Sequence, residues 1–158
     1  MHNSIKGLLM LTTLRIGYLA GLLDGEGQVS IVKNVRNDDR KRIRNYGLRA
    51  EVRVSQRRRV LLDTVLSWMG NANGSIGKTG AGGNYYVLRF KADWLRKNLP
   101  KIAPHLLIKR RQAEIVIKFL SHRPHVGRLG VGDVEWAARD ELHREIKALN
   151  ADRSNGET

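Results

Sequence analysis

The segment Asp24-Gly25-Glu26-Gly27 alternates two carboxylates with two glycines directly after an apolar run with helical spacing. An acid at a helix exit can offer oxygen to a hard cation. The Glu26 carboxylate and the Gly25 carbonyl together suit magnesium, which prefers such donors and keeps several waters; manganese or another divalent ion can substitute. The sequence contains no cysteine, so disulfides and thiolate sites are excluded and only carboxylate, carbonyl, histidine or water can hold a metal. His2, His105, His122, His125 and His143 show no ligand spacing.

The second chemical feature is charge. Lysine and arginine number 29 against 15 acids, a formal net charge of +14 over 158 residues. That imbalance points to a polyanionic partner. The cations recur along the chain, at Arg36 to Arg44, Arg49 to Arg59, Lys91 to Lys101 and Lys109 to Arg111, so a folded surface carries them. The N-terminal apolar run Ile5 to Leu14 is interrupted by Lys6 and has no cleavage pattern, and nothing reaches the length of a membrane span. A soluble intracellular protein with no membrane partner is expected.

The elements that position these groups can be read from periodicity. From Thr13 the pattern is helical, with Leu14, Tyr18 and Leu22 on one stripe and the small residues Gly17, Ala20 and Gly21 where a second helix could approach closely. The helix should end within Asp24 to Gly27, its glycines easing the exit, and a strand should follow at once. In Tyr46 to Ser55, Leu48, Ala50, Val52 and Val54 alternate with Arg49, Glu51, Arg53 and Ser55, the mark of a strand buried on one face and charged on the other. Asn34 to Asn45 reads as a long basic connection, Arg58 to Met69 as a helix, and Ser75 to Phe90 as a second hairpin with its tip at Thr79 to Gly83. Short helices follow at Ala92 to Leu99, punctuated by Pro100 and Pro104, and at Gln112 to Leu120. A last helix should start with Asp133 as N-cap and end near Asn150. Trp68, Trp94 and Trp136 read as packing residues. The expected architecture is α+β, αββαββα, with a four-stranded antiparallel sheet covered by helices on one face. Residues 1–150 form the domain, and 151–158 a flexible polar tail.

The nine residues Leu19-Ala20-Gly21-Leu22-Leu23-Asp24-Gly25-Glu26-Gly27 resemble the signature of the LAGLIDADG homing endonucleases, in the helix-turn-strand context that family requires. Further stretches resemble its single-motif, homodimeric branch: Val54-Ser55-Gln56, Arg58 to Asp63, Pro104 to Lys118 with Lys109 and Gln112-Ala113, and Ala148-Leu149-Asn150. Two departures stand out. Glu26 replaces the commoner Asp, and the junction after Gln56 is shorter, which leaves both Arg58 and Arg59 open as the family's active-site arginine.

The resemblance implies a metal-dependent endonuclease that cuts double-stranded DNA at a long pseudopalindromic site and leaves 3′ overhangs. It implies that Gln56 orders a water at the metal, that Lys109 stabilises charge at the phosphate, and that Asp24 is structural, bonding backbone amides at the helix exit. Packing of two motif helices through Gly17, Ala20 and Gly21 would bring both Glu26 side chains to the dimer axis. Base reading is expected from the uncovered sheet face, since a β-ribbon fits the major groove. The residues are Gln28, Ser30, Asn34 and Arg36, then Arg49, Glu51 and Arg53, with Arg58 and Arg59 beyond them and Lys78, Tyr85 and Arg89 on the second hairpin. Arginine pairs with guanine, Gln or Asn with adenine; a lone arginine on a phosphate would only position. Two alternatives stay open, an RNA maturase acting on intron RNA and a DNA-binding regulator that does not cut. The compartment stays open too: bacterial or archaeal cytoplasm, or an organelle.

Overall fold

The computed structural model describes residues 12–35, 46–80, 82–122 and 132–154. Arg36, most of the long connection after Asn34, part of the second hairpin tip and most of the loop before the last helix lie outside these residues.

Helix α1 spans Thr13–Glu26 and strand β1 Gly27–Val35, so the helix gives way to the strand without a linking residue. Thr12 caps the start, accepting from the Arg15 amide at 3.4 Å. The exit differs in kind from the expected flexible-glycine turn. Gly27 has φ −85° and ψ 153°, a conformation open to any residue. It is glycine because a Cβ there would lie 2.5 Å from the Leu23 carbonyl oxygen and 2.7 Å from the Leu23 Cα. Gly27→Ala is therefore expected to cost about 1–3 kcal/mol through forced backbone displacement, lowering the melting temperature by roughly 3–10 °C; an unchanged thermal melt would show that the junction can relax.

Strand β2 (Tyr46–Gln56) returns along β1, helix α2 (Arg59–Met69) follows, and β3 (Gly74–Thr79) and β4 (Tyr85–Phe90) form the second hairpin. The sheet order is β1-β2-β4-β3, antiparallel throughout. Three helices complete the described chain: α3 (Ala92–Ile102), α4 (Arg110–Ser121) and α5 (Asp133–Ser154). Pro100 lies inside α3 rather than ending it. It falls in the last turn, and Leu99 and Ile102 on either side are fully buried, so packing holds the helix through it. Asp133 sits in the first turn of α5 rather than at its cap, since the Trp136 amide bonds the Gly132 carbonyl. The same helix runs four residues past Asn150, into the expected tail.

One face of the sheet is covered. Val29 and Ile31 of β1, Leu48, Val52 and Val54 of β2, and Leu88 and Phe90 of β4 join a single core with residues of all five helices, among them Leu23, Leu62, Leu99, Val116 and Ile146. Trp94 and Trp136 are buried in it, and Trp68 packs against its edge. One cation is enclosed too. Arg139 of α5 stacks 3.9 Å from the Phe119 ring centroid and donates to the carbonyls of His122 at 3.3 Å and Leu48 at 3.4 Å. It thus ties α5 to α4 and β2, and burial holds its pKa below the ordinary arginine value against the opposing pull of Glu135. No helix of the described residues is long and apolar enough to cross a membrane.

Candidate functional site

The α1–β1 junction is clamped to the start of α4 from both sides. The Asp24 carboxylate accepts from three successive backbone amides, Leu107 at 2.7 Å, Ile108 at 3.2 Å and Lys109 at 2.9 Å. In return the Lys109 ammonium donates to the carbonyls of Leu23 at 2.7 Å and Asp24 at 2.6 Å. Each charge meets the helix end that favours it, the anion at the amides leading into α4 and the cation at the terminal carbonyls of α1. Asp24 thus bonds backbone amides as expected, but those of a segment more than eighty residues away rather than those of its own helix exit. The clamp holds the Lys109 ammonium on the residues immediately before Gly25 and Glu26, both of which are exposed.

Gln56 belongs to the same end of the fold. Gly27 pairs with Val54, so the last residue of β2 lies beyond that pair, level with the α1 terminus. The three arginines after it diverge. Arg57 continues the outward side of β2 and donates from Nε to the Tyr85 hydroxyl at 3.0 Å, with its guanidinium 5.2 Å from the ring centroid. Arg59 turns to Asp63 at 3.3 Å and lies 6.0 Å from the Tyr86 ring centroid. Arg58, at the N-cap position of α2, is exposed and has no side-chain partner among the described residues. Of the two open candidates, Arg58 is the uncommitted one. Arg57 was missed, although its odd number continues the alternation of Arg49, Glu51, Arg53 and Ser55.

The donor set at the helix exit is one carboxylate and one terminal helix carbonyl, both hard oxygens at the negative end of a helix, which fits a divalent cation of the magnesium type. Among the described residues no three His, Asp or Glu side chains converge, so a single chain contributes only part of a coordination shell.

Beside this end runs an exposed stripe of α1. Leu14 is 84% exposed, and an added Cβ at Gly17, Gly21 or Gly25 would meet nothing within 4 Å. Ala20 does not share it. At 2% exposure it packs in the chain's own core, because the helix turn that points Leu19 and Leu23 inward carries Ala20 with them. Gly25 takes its place on the stripe.

The uncovered sheet face carries Gln28, Ser30, Val32 and Asn34 of β1, Arg49, Glu51, Arg53 and Ser55 of β2, Tyr85, Val87 and Arg89 of β4, and Ser75, Gly77 and Thr79 of β3, as strand register requires. Three expected readers need correction. Ser30 is only 6% exposed, its hydroxyl donating to the Glu51 carbonyl at 3.4 Å. Lys78 pairs with Tyr86, which puts it on the helix-covered side, its ammonium 5.8 Å from the Tyr86 ring centroid. Glu51 is turned toward arginines, with Arg49 at 2.8 Å and Arg53 at 3.6 Å. Gln28, Asn34, Arg49, Arg53, Tyr85 and Arg89 stand on the outward face; Arg36 lies outside the described residues.

No family model matches this sequence, and no curated protein matches it. Solved structures do. The chain superposes on the homing endonuclease I-CvuI in complex with DNA with a TM-score of 0.72 at 21% identity, covering 86% of this chain and 82% of that one. Against the archaeal intron-encoded homing endonuclease I-Vdi141I complexed with DNA, the TM-score is 0.70 at 18% identity, over 86% and 84% of the two chains. The LAGLIDADG homing endonuclease I-GzeII, in complex with its DNA target, matches at a TM-score of 0.63 and 18% identity over 81% of this chain but only 43% of its own. The chain has the fold of the LAGLIDADG homing endonucleases.

Proposed function

We propose that the protein is a divalent-metal-dependent homing endonuclease that cuts double-stranded DNA as a homodimer, at a pseudopalindromic site and with 3′ overhangs. The observation that carries the reading is the gathering, at one end of the fold, of the Glu26 carboxylate, the strand end bearing Gln56 and the clamped Lys109, between an exposed small-residue stripe and a cationic open sheet.

Phosphodiester hydrolysis needs an aligned water, neutralisation of a crowded negative transition state and a stabilised leaving oxygen. A divalent ion supplies charge neutralisation and water activation when bound; Glu26 and the Gly25 carbonyl would hold it, and the other subunit and the DNA phosphates would complete its shell. Gln56 orients water with its amide. Lys109 holds a fixed positive charge beside the phosphate without transferring a proton, which the clamp makes a preorganised contribution. Arg58 is free to reach a phosphate next to the scissile one. Packing of the Leu14, Gly17, Gly21 and Gly25 stripe against its symmetry mate brings two such ends together. I-CvuI is seen with the I-CreI target in magnesium, its DNA not cleaved, and with its own target in calcium, which is consistent with a divalent ion at the DNA-bound site. This reading places the protein wherever its target DNA lies, in a bacterial or archaeal cytoplasm or in an organelle.

The test is a cleavage selection. Purified protein is incubated with magnesium and a randomised or genomic library, and the cut ends are sequenced; a shared pseudopalindrome with staggered 3′ ends is expected. Binding should fall steeply with salt, with log affinity linear in log salt and a slope near −0.9 per phosphate neutralised. Salt-sensitive binding with no cuts in magnesium or manganese would favour the regulator, or the maturase if intron RNA is bound instead. A flat salt response would argue against the open sheet as the nucleic-acid surface.

A further inference from the structure

Gln28 and Arg53 face each other across β1 and β2, and the Arg53 Nε donates to the Gln28 Oε1 at 2.7 Å. A guanidinium has donors and no acceptor, so it fixes which way the amide points. The Gln28 oxygen is turned toward Arg53, and the two N–H groups of its nitrogen are what the amide offers away from that bond. The usual pairing of glutamine with adenine needs both an acceptor and a donor side by side; here the acceptor is turned to Arg53.

Arg53 is constrained in turn. Its Nε is committed to Gln28, and its Nη1 stands 3.6 Å from the Glu51 Oε1. The end-on pair of Nη1–H and Nη2–H remains, the fork that matches guanine O6 and N7. Glu51 is no reader of cytosine. Its side chain is only 10% exposed, and its second oxygen bonds Arg49 at 2.8 Å, so one carboxylate sets the direction of both flanking arginines.

We infer that Gln28 and Arg53 form one donor-only reading unit that selects two neighbouring keto bases, a guanine facing Arg53 and a guanine or thymine facing Gln28, with Glu51 as the positioning residue for Arg53. Guanine O6 and thymine O4 accept in the major groove, whereas adenine N6 and cytosine N4 present donors there. A donor facing a donor leaves both unpaired and desolvated. In a symmetric dimer the same two-base step recurs in each half-site.

This inference rests on the DNA-reading function proposed above, and a binding selection separates the two. Duplexes retained from a randomised library by the full chain, with calcium as the divalent ion so that retention and not cutting is read, are compared with those retained by Gln28→Glu and Glu51→Gln. Both sites lie on the open face, and equal thermal melts confirm that the variants fold. Gln28→Glu keeps the acceptor for Arg53 but replaces the outward donor with a second acceptor. The base facing residue 28 should shift from keto to amino, by roughly ten-fold or more, while the neighbouring guanine stays. Glu51→Gln should weaken the guanine preference several-fold and at the same time raise retention of random-sequence duplex, since each subunit gains a net positive charge. A parent consensus with adenine or cytosine at the position that Gln28→Glu alters, or identical preferences for parent and Gln28→Glu at every position, overturns the unit and leaves the endonuclease reading standing. Absence of any shared site for the parent overturns both.

Discussion

Glu26→Gln should abolish cleavage and leave DNA binding intact or slightly tighter. The substitution keeps the size of the side chain and removes the charge that would hold a divalent ion. Metal stabilisation of a phosphoryl transition state is worth several kcal/mol, which converts to a rate loss of about a thousand-fold or more. Glu26 is exposed at the end of α1 and takes no part in the clamp, which is built from Asp24 and Lys109, so the variant should melt with the parent. Loss of one negative charge per subunit near phosphates favours association. The measurement is paired, with cleavage rate in magnesium and equilibrium affinity for the same duplex. A variant that still cuts at a tenth of the parental rate would remove Glu26 from the metal site, and one that loses affinity in step with cleavage would make it a binding residue.

On the proposed dimeric reading, Gly21→Leu should give a folded monomer that no longer cuts. Within one chain the substitution is innocuous. An added Cβ meets nothing within 4 Å, and leucine is the better helix former by roughly 0.8 kcal/mol. Between chains it is obstructive, because helices that approach through small residues have no room for a branched side chain at the contact. Sedimentation should show the halved mass. Cleavage should fall at least about a hundred-fold if each subunit brings one Glu26 to a shared centre, a loss of the size expected when reacting groups are misplaced. Where folding is coupled to dimer formation, the variant will also melt at a temperature independent of its concentration, unlike the parent. A Gly21→Leu protein that remains dimeric and active would move the interface away from this stripe.

Much of this molecule was legible in the order of its residues. The alternation of Leu48, Ala50, Val52 and Val54 with Arg49, Glu51, Arg53 and Ser55 is maintained without interruption in β2, because a strand with one buried and one wet face must keep a period of two. The nine-residue motif at Leu19 to Gly27 located the helix-to-strand junction correctly. The second hairpin was harder to read, since Tyr85 to Phe90 places apolar residues on both sides. Val87 on the open face is as buried as Leu88 on the covered one, which erases the contrast that periodicity depends on, and only the pairing of Lys78 with Tyr86 shows that this lysine lies on the helix side.

The sequence by itself determined the element types, the cationic character of the exposed face and the local junction that presents Glu26, because each depends on neighbours within a few residues. The tertiary structure decided whatever depends on which distant segments meet. It brought Leu107 to Lys109 onto Asp24 and so gave Lys109 a fixed place beside Gly25. It turned Ala20 into the core while leaving Gly17, Gly21 and Gly25 bare, a difference of one residue's rotation about the helix axis that small residues alone do not encode. It also set Gln28 against Arg53. A hydrogen bond across two strands depends on their register, and register is fixed by the burial of the opposite face of the sheet, not by the polar residues whose chemistry it ends up assigning.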